Sequence, residues 1–334
     1  MPAAKPPAGP KDAHGAASRE SMRFAVASLA LRSAANNGDD QALDKALADG
    51  ANPLERGKDG LTPLMLAASA AGRMMAGSPA RTRCVGKLIP LGGLDARDRE
   101  GLAALSWAAR VANPEALAAL IQAGSGMEPD HDGEGPVSWA VRGGDSECLR
   151  LLLAAGAPGD LPDLVGATPL MRAAEQDRAP MVNMLLTHRA DARKTGPMGR
   201  DALMVAASDA GLGTIEALLP LSNPCAQDEH GHTALMIAAR SGNDAAIIAL
   251  SRHGDSWTCN HQGLMALDLA AWTRIACGPD ALRSLALSMA GKRGDTELAA
   301  ALGRASGLAI AAQNGHEAAL APLLDTLFAP RAPD

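Results

Sequence analysis

The sequence predicts an all-α fold, a solenoid of helix-turn-helix units joined by β-turn or hairpin loops. Three observations carry that expectation. The chain repeats itself with a period of 32 or 33 residues over most of its length, the signature of stacked supersecondary units. Each period holds two short stretches of helical apolar spacing, and two such helices cannot bury both their faces without a neighbour on each side. Composition agrees: 47% of the 334 residues are apolar, yet only 2% are aromatic, with no Tyr and two Phe. Small aliphatic side chains suit closely approaching helices and fit a β-sandwich poorly.

Taken in order, the chain opens with residues 1–20, MPAAKPPAGPKDAHGAASRE, rich in Pro, Ala and Gly and without apolar periodicity. That composition predicts a disordered N-terminal tail. A repeat domain of about nine units follows over residues 21–328, and residues 329–334 form a short C-terminal tail. The stretch FAVASLALRSAA from Phe24 is short, ends at Arg32 and its following residues, and starts too far in for a signal sequence; it reads as a helix of the domain.

An apolar anchor sets the register of each unit: Leu31, Leu64, Leu105, Val137, Leu170, Leu203, Leu235, Leu267 and Leu308. Successive anchors lie 33, 41, 32, 33, 33, 32, 32 and 41 residues apart. The two long intervals mark insertions, one near 69–84 (SAAGRMMAGSPARTRC) and one near 278–307, where two helical patterns stand in place of one. The units at Leu31, with no Gly turn before it, and at Leu308 read as caps, which an array requires at its ends.

Each recurring position has a physical reason. Four residues before the anchor stands a glycine, Gly60, Gly101, Gly133, Gly166, Gly199, Gly231 or Gly263, where a tight turn needs positive φ. Three residues earlier stands Asp98, Asp130, Asp163, Asp228 or Asn260, types that brace a turn through the side chain. Thr62, Thr168 and Thr233 are placed to cap the first helix, with Pro63 and Pro169 in its first turn. Alanine pairs three and four past the anchor, such as Ala67 with Ala68 and Ala173 with Ala174, let neighbouring units approach closely. Gly38, Gly144, Gly242 and Gly315 end the first helix. The second helix shows one apolar face, for example Val182, Leu185 and Leu186.

The segment 163–191, DLVGATPLMRAAEQDRAPMVNMLLTHRAD, shows the whole pattern at its fullest. Written as DxxGxTPLxxAAxxG…VxxLLxxGA, it resembles the ankyrin repeat, and the resemblance covers roughly residues 21–327. A tetratricopeptide array has a similar period but lacks the Gly turn and the Thr-Pro-Leu start. This chain departs from the family pattern in two ways: Met65, Met171, Met204 and Met236 stand where His is usual, and Ala104, Ala202 and Ala234 replace Pro.

Several classes of function are disfavoured. A net charge of −6 offers no basic stripe for nucleic acid. No apolar run approaches the ~20 residues of a membrane-spanning helix. Cys84, Cys148, Cys225, Cys259 and Cys277 are odd in number, widely spaced and form no CxxC pair, so they read as reduced thiols of a cytoplasmic protein. No nucleophile elbow or phosphate-binding loop is present, and HDGEG from His131 is in register with an ordinary turn. His188 and His253 fall near helix C-termini, where a cation is favourable, and His316 is also structural. His230, His232, Cys259 and His261 fall on two adjacent turns, but their spacing matches no standard zinc pattern. No cofactor, no metal and no catalytic residue is therefore assigned. Trp107 and Trp139, two past their anchors, read as packing between repeats.

What remains is binding. In ankyrin arrays a protein partner usually meets the turn tips and the concave face of the first helices, so the resemblance implies contact positions here. They are Arg110, Arg142, Leu164, Val165, Glu175, Met198, Arg200, His230, Arg240, His261 and Trp272. Charged members are the expected solvated surface. Leu164, Val165 and Met198 are different, since turn tips gain nothing structural from being apolar, and an apolar centre with a polar rim is the anatomy of an interface. The expectation is thus a protein-binding module, monomeric in isolation, without chemistry of its own. Two alternatives stand beside it: an exported effector that captures a foreign protein, with the N-terminal tail as its signal, and an enzyme or enzyme regulator with a site grafted in 278–307.

Overall fold

The computed structural model describes residues 10–69, 79–253, 258–266, 269–270, 281 and 285. Among the described residues the chain is helical, without strands, and its helices come in pairs. The pairs are α1 (Pro10–Asn37) with α2 (Asp40–Ala48), α3 (Pro63–Ser69) with α4 (Pro79–Leu88), and α5 (Ala104–Arg110) with α6 (Pro114–Gln122). They continue as α7 (Pro136–Gly143) with α8 (Ser146–Ala154), α9 (Pro169–Glu175) with α10 (Ala179–Thr187), α11 (Ala202–Asp209) with α12 (Leu212–Leu218), and α13 (Ala234–Ser241) with α14 (Asp244–Ser251).

Helix starts follow the residues at hand. Thr168 Oγ1 accepts the Met171 N–H at 3.3 Å, and Thr62 and Thr233 do the same for Met65 and Met236. Asp201 replaces threonine at α11 and accepts the Met204 N–H at 2.8 Å. The methionine that stands in the usual histidine position also joins the cap, because Met171 Sδ accepts the Thr168 N–H at 3.5 Å. Helix ends follow too: Gly144 and Gly242 are left-handed caps of α7 and α13.

Two compact units divide the chain, residues Met1–Leu161 and Pro162–Asp334. In the first, α1, α3, α5 and α7 pack in series, and α2, α4, α6 and α8 form a second series behind them. In the other, α9, α11 and α13 form one series and α10, α12 and α14 the other. Stacking is close because the contact surface is alanine: Ala67, Ala68, Ala108, Ala109, Ala173, Ala174, Ala206, Ala207, Ala238 and Ala239 are fully buried. The anchors Leu31, Leu64, Leu105, Val137, Leu170, Leu203 and Leu235 are buried as well. Leu267 and Leu308 lie outside the described residues.

Two boundaries differ from expectation. α1 begins at Pro10, inside the stretch that composition assigns to a disordered tail. The prolines of that stretch all lie at or before Pro10, which leaves an Ala-rich, Pro-free run able to extend the cap helix, with Pro10 in its tolerated first turn. Likewise α4 starts at Pro79, so residues 79–84 belong to a helix, with Cys84 in the core, and not to the inserted segment. Of the second irregular segment, 278–307, only Ala281 and Leu285 are described, and both are buried.

Candidate partner-binding surface

The loops between pairs are built alike. In each, the glycine N–H closes an i to i+3 turn on the carbonyl three residues back, as Gly166 does on Asp163 at 2.9 Å. Gly60, Gly101, Gly133, Gly166, Gly199, Gly231 and Gly263 all have positive φ. At Gly101 a side chain is excluded twice over, since φ is 89° and a Cβ would lie 2.7 Å from the backbone nitrogen of His131 in the next loop. Consecutive tips join through single backbone bonds: His131 N–H to the Glu100 carbonyl (3.0 Å), Glu229 N–H to the Met198 carbonyl (3.0 Å), and His261 N–H to the His230 carbonyl (3.1 Å). Val165 stands in the same acceptor position, but the residue facing it in register is Pro197, which has no N–H.

Acidic turn residues have a second role that the sequence reading missed. One oxygen of Asp98 accepts the Glu100 and Leu102 N–H groups, each at 2.9 Å, and the other accepts the Trp107 indole N–H at 2.8 Å. Asp130 does the same for Asp132 (3.0 Å), Glu134 (2.9 Å) and the Trp139 indole (2.8 Å). Asp163 holds Val165 and Ala167, and its second oxygen takes Arg172 at 2.8 Å. Asp228 receives Arg200 at 3.2 Å instead. A signal for this was present: an acid followed nine residues later by Trp or Arg occurs in three consecutive repeats. Trp139 is accordingly buried and Trp107 half-buried.

The expected contact residues divide accordingly. Leu164 and Val165 are 76% and 65% exposed on a turn closed by the Asp163 and Gly166 hydrogen bonds. Met198, 46% exposed, sits in a 3-10 turn, Pro197–Gly199, at φ 59°, a left-handed conformation uncommon for a side chain of its size. Arg200 is largely covered and held by Asp228, which makes it a brace of the turn. Glu175 pairs with Arg172 at 3.3 Å. His230, Arg240 and His261 are exposed. Arg110 and Arg142 belong to unit 1, where each stacks on tryptophan. Trp272 lies outside the described residues.

His232, three residues before its anchor, is buried, and its Nδ1 lies 3.5 Å from Asp228 Oδ1 without a hydrogen bond. Burial lowers its pKa below the ordinary 6.5; Asp228 opposes that, while Arg240, His230 and Arg200 add to it. The folded chain therefore takes up this proton less readily than the unfolded chain. The stability tied to neutral His232 is fully present above pH 6.5 and is lost as the pH falls below 6.5 towards the depressed folded value. The urea midpoint should thus fall between about pH 7.5 and about pH 5, and His232→Gln should shrink that fall. An equal fall in the variant would place the pH dependence elsewhere.

Among the described residues no three His, Cys, Asp or Glu side chains converge on a metal-sized site. The His230 and His232 rings are 5.9 Å apart, centroid to centroid. Cys84, Cys148 and Cys225 are free thiols, and burial pushes the pKa of Cys84 and Cys148 up, away from thiolate chemistry. No described helix is long and apolar enough to cross a membrane.

A family model described as ankyrin repeats matches the chain in three copies, at residues 105–196, 138–228 and 203–291. Together they span residues 105–291, more than half of the 334.

Proposed function

This chain belongs to the ankyrin-repeat family, whose arrays are in general protein-interaction modules, and we propose that it binds a protein partner, without chemistry of its own, through the apolar turn tips of its second unit. The observation that carries this reading is the exposure of Leu164 and Val165 on a turn whose conformation is set by Asp163 and Gly166. A turn held by backbone bonds needs no apolar side chain at its tip, and two large ones left in water lower stability nowhere but gain free energy on being covered. Met198 adds a third apolar group on the following tip, and the exposed Arg240, His230 and His261 supply a polar rim. The free thiols of Cys84, Cys148 and Cys225 fit a cytoplasmic setting.

The test uses peptides selected from a randomised display library on the full chain. Changing Leu164, Val165 and Met198 together to Ser should weaken the selected binders by about tenfold or more, with the melting temperature little changed. Equal affinity in a folded variant would remove these tips from the binding surface.

A further inference from the structure

Unit 1 has a different chemistry on its first helices. Trp107 and Trp139 occupy equivalent places in consecutive repeats, and each indole is pinned by its N–H to a turn aspartate at 2.8 Å. Arg110 lies between them: its guanidinium carbon is 4.9 Å from the centre of the Trp107 ring system and 4.7 Å from that of Trp139. Arg142 continues the alternation at 5.2 Å from Trp139. All three distances are within the range of cation–π attraction.

The two arginines are not equivalent. Arg142 is committed to Glu134, 2.6 Å away, whose side chain is only 6% exposed. Arg110 has one acidic neighbour, Glu100, at 3.5 Å, and no hydrogen bond from its guanidinium is formed among the described residues. A guanidinium held over ring faces keeps its N–H donors for a carboxylate. Glu100 itself is 68% exposed and Arg110 38% exposed, so the pair is loose and open to solvent. Immobilising an arginine on binding normally costs rotamer entropy. Here the two indoles have already restricted it in the free protein.

We propose that Arg110 is a preorganised receptor for a carboxylate of an acidic peptide segment, which displaces Glu100 from the guanidinium edge. The exchange is isoelectric at the site, one carboxylate for another, so it needs no new charge balance. Exposed Arg99 and His131, on the tips of the same two repeats, extend the surface for neighbouring acidic side chains. This surface lies in unit 1 and does not depend on the apolar tips of unit 2.

The probe is a blocked heptapeptide of alternating alanine and glutamate, with its glutamine twin as control, followed by tryptophan emission of the full chain at low salt. The glutamate peptide should give a saturable change, and the glutamine twin none. Glu100→Gln, at an exposed position that leaves the fold intact, should tighten binding about threefold or more by removing the competitor. Arg110→Lys keeps the charge but loses the planar fork and the stack, and should weaken binding about tenfold. Arg150→Gln, on α8, should bind like the parent chain. The same titration on the Leu164, Val165 and Met198 serine variant should be unaltered, which separates this surface from the tips. Equal binding by Arg110→Lys, equal binding of the glutamine twin, no tightening in Glu100→Gln, or no saturable change up to about 1 mM peptide overturns the proposal.

Discussion

Leu170→Ala is expected to destabilise the chain by roughly 2–4 kcal/mol in urea unfolding. Leu170 is wholly buried at the start of α9, and α9 packs against both α10 and α11. The facing helix α11 has two of its buried positions filled by alanines, Ala206 and Ala207, which have no side-chain length to collapse into the space left behind. A cavity cost therefore adds to the lost transfer energy. Coupling in an array passes only between adjacent repeats, so amide exchange should accelerate most in α9 to α12 and less in α13 and α14. Uniform acceleration through α14 would contradict nearest-neighbour coupling. A loss below about 1 kcal/mol would show that the site relaxes.

Asp130→Ala should cost a comparable amount, roughly 2–4 kcal/mol, although it removes a surface-loop residue with no apolar contact to lose. Its carboxylate accepts the N–H groups of Asp132 and Glu134 and the Trp139 indole, and the residue is 9% exposed. Alanine leaves these donors without the acceptor, and the Glu134 N–H and the indole are both in buried residues. Asp130→Asn tests the two oxygens separately. It keeps the acceptor for the backbone pair but turns an N–H₂ towards the indole N–H, so it should recover part of the loss and no more. Asn260 shows the natural form of that arrangement. It accepts the Gln262 and Leu264 N–H groups at 2.9 Å, its own Nδ2 is buried without an acceptor, and the residue nine further on is Leu269, whose aliphatic side chain sets no N–H against it. Full stability in Asp130→Ala would mean that the glycine turn alone holds the loop.

Much of the architecture was legible in the residues because each recurring one acts within its own unit. Gly166 turns the chain, Thr168 caps α9 and Gly144 ends α7 through atoms at most a few residues away. Local requirements of that kind leave a periodic trace, and the trace sets the register of Leu31 through Leu235. The start of α1 was less legible, since composition averaged over residues 1–20 hides that the prolines end at Pro10. Leu164 and Val165 were legible as apolar residues at turn-tip positions, whereas the covering of Arg200 by Asp228 was not.

Fold family, repeat register and the apolar character of two turn tips were thus determined by sequence alone, because they depend on contacts that recur at fixed spacing. The roles of the charged residues were decided only by tertiary structure. Arg200 and Arg110 look alike as exposed-position arginines, yet one is held by Asp228, 28 residues away, and the other lies between Trp107 and Trp139. A long side chain chooses among partners from adjacent repeats, and that choice depends on which repeat supplies a ring, a carboxylate or neither. No periodicity within one repeat encodes it.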